Sequence, residues 1–584
     1  MSRPVSPPSA IFAIFALGAL APACSTPASG DDEVGTSTGE GTSSESGEGT
    51  SSESGEGSSS ESGETGTPTG PDPAAICDEL GLPVTPMAEG GSGAWGGLAG
   101  DFAVDTTFGP WALSEHYSGC DSYVFINHLG DGTSDSLRAS FSAALFERSP
   151  QNVHYFFLSS GADPAQGALD WQTKIGQALS PLDEAQTEYW TERVHFVDDA
   201  PASIQGSVGQ FFAGNTNVMV AAIDRAQRWD YPNSTNDTGG GSFAQSGDVL
   251  AYTPRWYNFV HAQALELEAQ DDAGDVTEIA LIDHVEFVPD GPAGPDGPFA
   301  NAFNNAVWTA EFPDPATMAG FDTMEVVVTG RCGPVGGDDD CGHWDYEAFV
   351  HWCDTEACDG ELREVLRWIT PYARIGERKW VFEASPMLAM VQAGGAQHFR
   401  FGMRWNMNPG VWDIRFRLRN TGKGSAAKTA VPAFVGNRGF NDDYNDWEQV
   451  EFTPPPGTAK VELVALISGH GQSTGNCAEW CNHQHEFTVN GQDLHLREFA
   501  GQVVNQGCAE RVDEGVVPGQ WGNWTPGRAG WCPGQPVQPW IVDISDQVTM
   551  GEVNTLDYRG LFGGAPVTGD RGRILLSSYI VYSE

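Results

Sequence analysis

The sequence predicts a mostly β protein. Two β-sandwich domains fill the C-terminal half, preceded by an α/β domain and a disordered N-terminal tether. Three observations carry this reading. From about residue 275, short apolar runs alternate with Gly/Pro/Asp turns and helical periodicity is scarce. From 77 to about 265, buried runs alternate with helical patterns, the βαβ rhythm of a parallel sheet. Residues 25–73 are low complexity and lack the apolar side chains that a core needs.

Taken in order, the N-terminus reads as an export signal. Arg3 supplies a positive charge and residues 11–21 form an apolar run, too short to span a bilayer. Leu20-Ala-Pro-Ala-Cys24 resembles the bacterial lipobox, which implies lipidation at Cys24 and an outer-membrane or cell-surface lipoprotein. Plain secretion is the alternative. Segment 1–24 is therefore the signal and 25–76 an acidic linker, in which Gly41-Thr-Ser-Ser-Glu-Ser-Gly-Glu48 recurs at 49–56 and, with one change, at 57–64.

The α/β domain is placed at 77–270. Strands are expected at 123–127, 153–158 and from 194, with helices over 134–146 (Leu137, Phe141 and Leu145 on one face), 168–179 and 184–193. Gly100-Asp-Phe-Ala-Val resembles the opening of thioredoxin-like redoxin domains, which implies a thioredoxin-like fold. The redox Cys-x-x-Cys pair is absent, so the segment reads as a structural or docking module. The sandwiches are placed at 275–425 and 430–584. Trp412-Asp-Ile-Arg-Phe-Arg-Leu-Arg419 alternates strictly, as a half-buried strand does. Residues 460–467 and 574–582 read as further strands.

The 584 residues carry a formal charge of -50, which argues against nucleic acid and anionic membrane surfaces as partners. Eleven cysteines leave ten once Cys24 is set aside, an even number in an exported chain. Spacing does not fix connectivity. Local pairing suggests Cys332–Cys341, Cys353–Cys358, Cys477–Cys481 and Cys508–Cys532, with Cys77 and Cys120 remaining to pair with each other. None of the spacings is a zinc pattern.

Chemistry concentrates in two stretches. Cys477-Ala-Glu479-Trp480-Cys481 brackets a carboxylate and a tryptophan in a loop small enough that a bridge would chiefly aim Glu479. Cys341-Gly-His-Trp344-Asp345 has the same style, and rigidly mounted acids beside tryptophans suggest carbohydrate chemistry. Amide hydrolysis needs a positioned acid/base and a charge stabiliser. Facing acids push one pKa upward, and a nearby arginine keeps its charge at any relevant pH. His470, His483 and His485 could form a metal site. They read instead as surface or structural residues, with His343 a support beside the motif, and no metal or cofactor is expected. The Asn-x-Ser/Thr sites at Asn233, Asn236 and Asn523 carry little weight in a bacterial chain.

From about 280 to 584 the chain resembles the bacterial peptide:N-glycosidase F family. The motifs are Cys332…Cys341-x-x-Trp344-Asp345, Gly469-His470-Gly471 followed by Cys477-x-Glu479-x-Cys481, and Arg528 four places before Cys532. The resemblance implies two packed jelly-roll domains that cleave the amide joining an N-glycan to asparagine. It makes Asp345 the principal acid, with Glu479 and Arg528 holding the sugar core and polarising the amide. Trp344, Trp405, Trp480 and His470 would contact substrate. Two departures stand out. The family's first-domain glutamate falls at Met403, and the arginine after Trp-Asp is Tyr346 here. The expected protein is a monomeric glycan amidase acting on N-glycoproteins or glycopeptides. The alternatives are a non-catalytic glycopeptide-binding lipoprotein and a structural adhesion protein.

Overall fold

A computed structural model describes residues 73–584, apart from 231–245, 288–304, 333–343, 404–409, 472–474 and the single positions 373, 375, 476 and 521. Cys24, the signal, most of the linker, Asn233, Asn236, His343, Trp405 and the Cys332–Cys341 pairing therefore lie outside the described residues. The linker expected to reach 76 gives way to a helix over Pro73–Glu79, because Ile76 and Cys77 are buried at 2% and 0% exposure. Cys77 is bonded to Cys120, tying this helix to the α/β domain.

In that domain, strand Ser122–His128 pairs in parallel with Val153–Ser159, which pairs in parallel with Val194–Phe196. The other edge of Ser122–His128 pairs antiparallel with Val220–Ile223, and that strand with Trp229–Asp230. The two long central strands are buried at every position, which explains their unbroken apolar runs. The helix Pro164–Leu179 starts four residues before the predicted bound. Asp163 accepts from the Gln166 N–H and Pro164 suits the first turn. The helix expected over 134–146 is two, Gly132–Ser140 and Ala143–Arg148. The break has a cause: the N–H and hydroxyl of Ser142 both bond the Asp248 carboxylate, at 2.8 and 2.5 Å, and Ser142 caps the second helix. A 22-residue helix, Tyr252–Ala273, closes the domain and ends at left-handed Gly274.

All sheets beyond it are antiparallel. The first sandwich pairs a four-stranded sheet, in the order Glu377–Glu383, Thr323–Cys332, Gly410–Arg419, Thr277–Phe287, with a second sheet. The latter runs Asn305–Phe312, Gly395–Met403, Glu347–Cys353, Leu362–Ile369 and then Gln535–Pro536, a short strand returning from far down the chain. The alternation at 412–419 is structural: Ile414, Phe416 and Leu418 are fully buried, while Arg415 and Arg417 pair with Glu278. In the second sandwich a sheet of Ala427–Gly439, Arg573–Ser583, Lys460–His470 and Trp540–Asp543 faces one built on His483–Val489 and Asn554–Phe562. Lys460–His470 is buried on both sides. Leu463 and Ala465 enter the inner core, and Val464 and Leu466 pack towards the first sandwich.

The two sandwiches are joined by a buried polar seam. Arg367, 1% exposed in its side chain, forms a two-pronged pair with Glu364 at 2.8 and 2.7 Å. The same guanidinium reaches across to the Ser468 hydroxyl at 2.5 Å and the Leu575 carbonyl at 3.2 Å. Burial alone would push the Glu364 carboxyl upward, but Arg367 holds it below its ordinary value. No helix of the described residues is long and apolar enough to cross a membrane.

Removing one partner strands a buried charge. Glu364→Gln is expected to lower stability by about 3 kcal/mol. The double change Glu364→Leu/Arg367→Met is expected to recover most of it. Denaturation midpoints in guanidinium chloride measure both.

Candidate active site

The site forms where loops of the two sandwiches meet. Trp344 and Asp345 immediately precede the strand Glu347–Cys353. Thr370 pins them: its hydroxyl accepts from the Tyr346 N–H at 2.8 Å, and its own N–H bonds the Tyr346 carbonyl at 2.9 Å. Tyr346 joins the hydrophobic core, and Trp344 is left 57% exposed.

From the second sandwich comes the one-turn helix Cys477–Trp480, closed by the Cys477–Cys481 disulfide. It lies on Gly469, where a Cβ would meet the Ala478 carbonyl oxygen at 1.6 Å, so only glycine permits the approach. The loop is held from several directions. The Ala478 N–H bonds the Arg571 carbonyl, the Glu479 carbonyl accepts from Ala529, and the Glu479 Oε2 accepts from the Gly471 N–H at 3.2 Å.

Arg528 is the centre of the cluster and is wholly buried. Its Nε donates to Glu479 Oε1 at 3.2 Å, and one terminal nitrogen donates to the Pro526 carbonyl at 3.0 Å. The other terminal nitrogen reaches the Tyr372 hydroxyl at 3.2 Å and Asn523 through its carbonyl at 3.1 Å and its Oδ1 at 3.3 Å. The guanidinium carbon lies 4.3 Å from the ring centre of Trp480 and 4.8 Å from that of Trp531, a cation–π arrangement on both sides. Cys508–Cys532 closes the loop that carries Arg528.

The Tyr372 hydroxyl also bonds Asp345. Asp345, Tyr372, Arg528 and Glu479 thus form one connected chain across the seam. Burial raises the Asp345 carboxyl, Arg528 opposes the shift, and Glu347 adds like-charge repulsion. Burial pushes Glu479 up to about 7 against the pull of Arg528, and Asp345 adds to the rise. The two acids therefore disfavour one another's ionisation around a fixed cation.

The structure brings Asp345, Glu479, Trp480 and Arg528 together, with Trp344 next to Asp345 in the chain. His470 sits beneath them at 6% exposure, stacked on Trp531 with ring centres 5.0 Å apart. Its Nε2 contacts the Ser468 hydroxyl at 2.7 Å and its Nδ1 the Glu347 carboxylate at 3.3 Å. That placement suits support of the cleft rather than contact with a sugar. His483 and His485 belong to a buried hydrogen-bonded chain, Ala478 carbonyl to His483 to His485 to Tyr558 to Tyr444, with links of 2.9, 2.7, 2.7 and 2.6 Å. Burial pushes the His483 ring down to about 4. Neutral imidazoles thus brace the floor under Glu479. Among the described residues no cluster of three or more His, Cys, Asp or Glu is arranged to hold a metal. Met403 is 2% exposed within the hydrophobic core and pairs with Ala348.

Two residues of the site escaped the sequence reading. Tyr372 lies in Thr-Pro-Tyr, which carries no pattern. Glu347 did leave a signal, because it lies two residues beyond Asp345 in extended chain. It is 4% exposed and paired with both His470 and Arg573.

Comparison with known proteins agrees with the motif resemblance. Residues 439–581 match the family described as peptide-N-glycosidase F, C terminal. Peptide-N(4)-(N-acetyl-beta-D-glucosaminyl)asparagine amidase F of Elizabethkingia miricola is 25% identical over 278 residues, covering 44% of this chain and 74% of that protein. Among solved structures, PNGase F, a glycosylasparaginase from Flavobacterium meningosepticum, aligns at TM-score 0.39 and 21% identity over 53% of this chain and 96% of its own. PNGF-II aligns at TM-score 0.41 and 11% identity over 55% and 67%.

A carboxyl whose folded pKa is raised contributes stability that is full below its ordinary value and is lost as pH rises through the folded value. For Glu479 that window runs from 4.5 to about 7. Wild type is expected to lose more stability across it than Glu479→Gln, read from urea midpoints at the two ends.

Proposed function

We propose that the protein is a glycan amidase of the peptide-N-glycosidase F type, hydrolysing the Asn–GlcNAc amide of N-glycoproteins or glycopeptides. The observation that carries this reading is the joining of Asp345 and Glu479 through Tyr372 and Arg528 across the seam, beside an exposed Trp344. Trp344 and Trp480 offer flat apolar faces to the sugar rings and the peptide junction, with Trp405 assigned the same task. Ionised Asp345 takes a proton from water as its oxygen adds to the amide carbonyl. The Tyr372 hydroxyl and the Arg528 charge hold Asp345 in place. Protonated Glu479 donates a hydrogen bond towards the oxygen that gains negative charge. The C–N bond then breaks, a proton passes to the departing glycosylamine nitrogen, and aspartate remains in the peptide.

Both acids stay close to Arg528, whose donors are engaged by the protein. Its part is to fix Glu479 and Tyr372 and to supply positive potential. Glu347 provides a further buried carboxylate where the family's glutamate is replaced by Met403. The lipobox resemblance supports a position outside the cytoplasm, with the protein anchored at Cys24 or secreted, and it is taken to act as a monomer. The α/β domain is read as a thioredoxin-like scaffold without a redox pair.

Incubation of the full chain with a denatured N-glycoprotein should convert glycosylated asparagine to aspartate, read by mass spectrometry. Asp345→Asn is expected to lose about 10²–10⁴-fold in turnover, the usual worth of a positioned acid/base. Glycan-column retention by wild type without conversion would favour the glycopeptide-binding reading. Activity should rise as Asp345 ionises and fall as pH rises through about 7, where Glu479 deprotonates. Glu479→Gln should lack the falling limb.

A further inference from the structure

The α/β domain lies outside the matched family region, yet it touches the elements that build the site. Asp230, the last residue of strand Trp229–Asp230, accepts from the Tyr257 hydroxyl at 2.8 Å and from an Arg374 terminal nitrogen at 2.6 Å. The Arg374 side chain is 0% exposed, and its Nε donates to the Pro518 carbonyl at 3.1 Å. Arg374 is two residues past Tyr372, the residue that bonds both Asp345 and Arg528.

A cation buried this deeply depends on the carboxylates that face it, and Asp230 is one of them, so losing that charge is costly. The demand is sharpened by a second arginine. Arg378 lies 5.4 Å from the Trp256 ring centre, and its pKa is pushed down to about 9, by burial first and the charge of Arg374 second. From the other side, the Tyr372 N–H bonds Gln520 Oε1 at 2.8 Å, and Gln520 is anchored to the Val517 and Pro533 carbonyls at 2.6 and 2.7 Å.

The long helix forms a second brace. The Tyr252 hydroxyl donates to Glu510 at 2.6 Å and Gln506 at 3.0 Å, while Arg255 pairs with Glu510 and Asp513. These acids sit at the start of the loop that Cys508–Cys532 closes around Arg528. The two braces meet at the Tyr372–Arg528 hydrogen bond.

We infer that Asp230 is a positioning residue for the site: through the buried Arg374 it sets the placement of Tyr372, so that the α/β domain is a working part of the site and not a detachable docking module. The catalytic half of this inference rests on the amidase reading. The structural half does not.

The test compares the full-length wild type with Asp230→Asn, Asp230→Glu and Tyr257→Phe. Hydrogen exchange by mass spectrometry follows peptides spanning 366–378 and, as a reference within the second sandwich, 460–470. Turnover follows the asparagine-to-aspartate assay. Asp230→Asn should speed exchange at 366–378 and leave 460–470 unchanged. Its kcat should fall about 10–100-fold with KM within about twofold, the pattern of a misplaced catalytic group with substrate binding intact. Asp230→Glu, which keeps the charge, should recover part of both. If wild type is inactive, the amidase reading fails and the exchange measurement alone decides the inference. Unchanged exchange at 366–378 in a folded Asp230→Asn overturns it, as does an equal fall in the Asn and Glu variants. If Asp230→Asn does not fold, Tyr257→Phe, which removes one donor to the same carboxylate, is judged by the same criteria.

Discussion

Arg528 is a full positive charge with no access to water, and the site is organised around meeting its needs. A buried guanidinium must find oxygen partners for its donors and aromatic or ionic company for its charge. It finds them on both sides of the seam, with Glu479 from one sandwich and Tyr372 from the other. Most of its partners, Glu479, Pro526, Asn523, Trp480 and Trp531, come from the second sandwich, and Tyr372 is the contact from the first. The cation therefore links the two bodies at this point, with Tyr372 beside Asp345 on one side and Glu479 on the other. Arg367 repeats the device deeper in the seam with Glu364 and Ser468.

The acids pay for this arrangement in ionisation. Burial raises both Asp345 and Glu479, and the shared cation recovers only part of the cost. Glu479, pushed up to about 7, keeps its proton in mildly acidic solution and can donate a hydrogen bond there. The layer below the site keeps the opposite character. His483 and His485 are held neutral in a chain of hydrogen bonds, so the floor adds orientation without adding charge.

Much of this was legible from residue order. Short disulfide-closed motifs announce themselves through spacing, and strict alternation at 412–419 reports a half-buried strand directly. The break at Ser142 was not legible, because it depends on Asp248, more than a hundred residues away. Burial on two faces also hides information: the strand Lys460–His470 reads as a plain apolar run, and nothing in that run says which residues face the neighbouring sandwich. Tyr372 was invisible for a similar reason. Its importance comes from what surrounds it in space, and its neighbours along the chain carry no trace of that. His470 was visible as part of a motif, but only the fold places it under the cleft.

The short strand Gln535–Pro536 has a consequence for how the molecule is made. It completes the edge of a sheet whose neighbouring strand, Leu362–Ile369, was synthesised more than 160 residues earlier. Until that late segment arrives, the sheet margin stays open, and an open margin invites pairing with other chains. Non-local pairings of this kind form slowly, because a long loop must close first. Folding therefore has a vulnerable interval that ends only when the segment around residue 535 is in place, and chaperone protection of that margin would matter more than any help given to the helices.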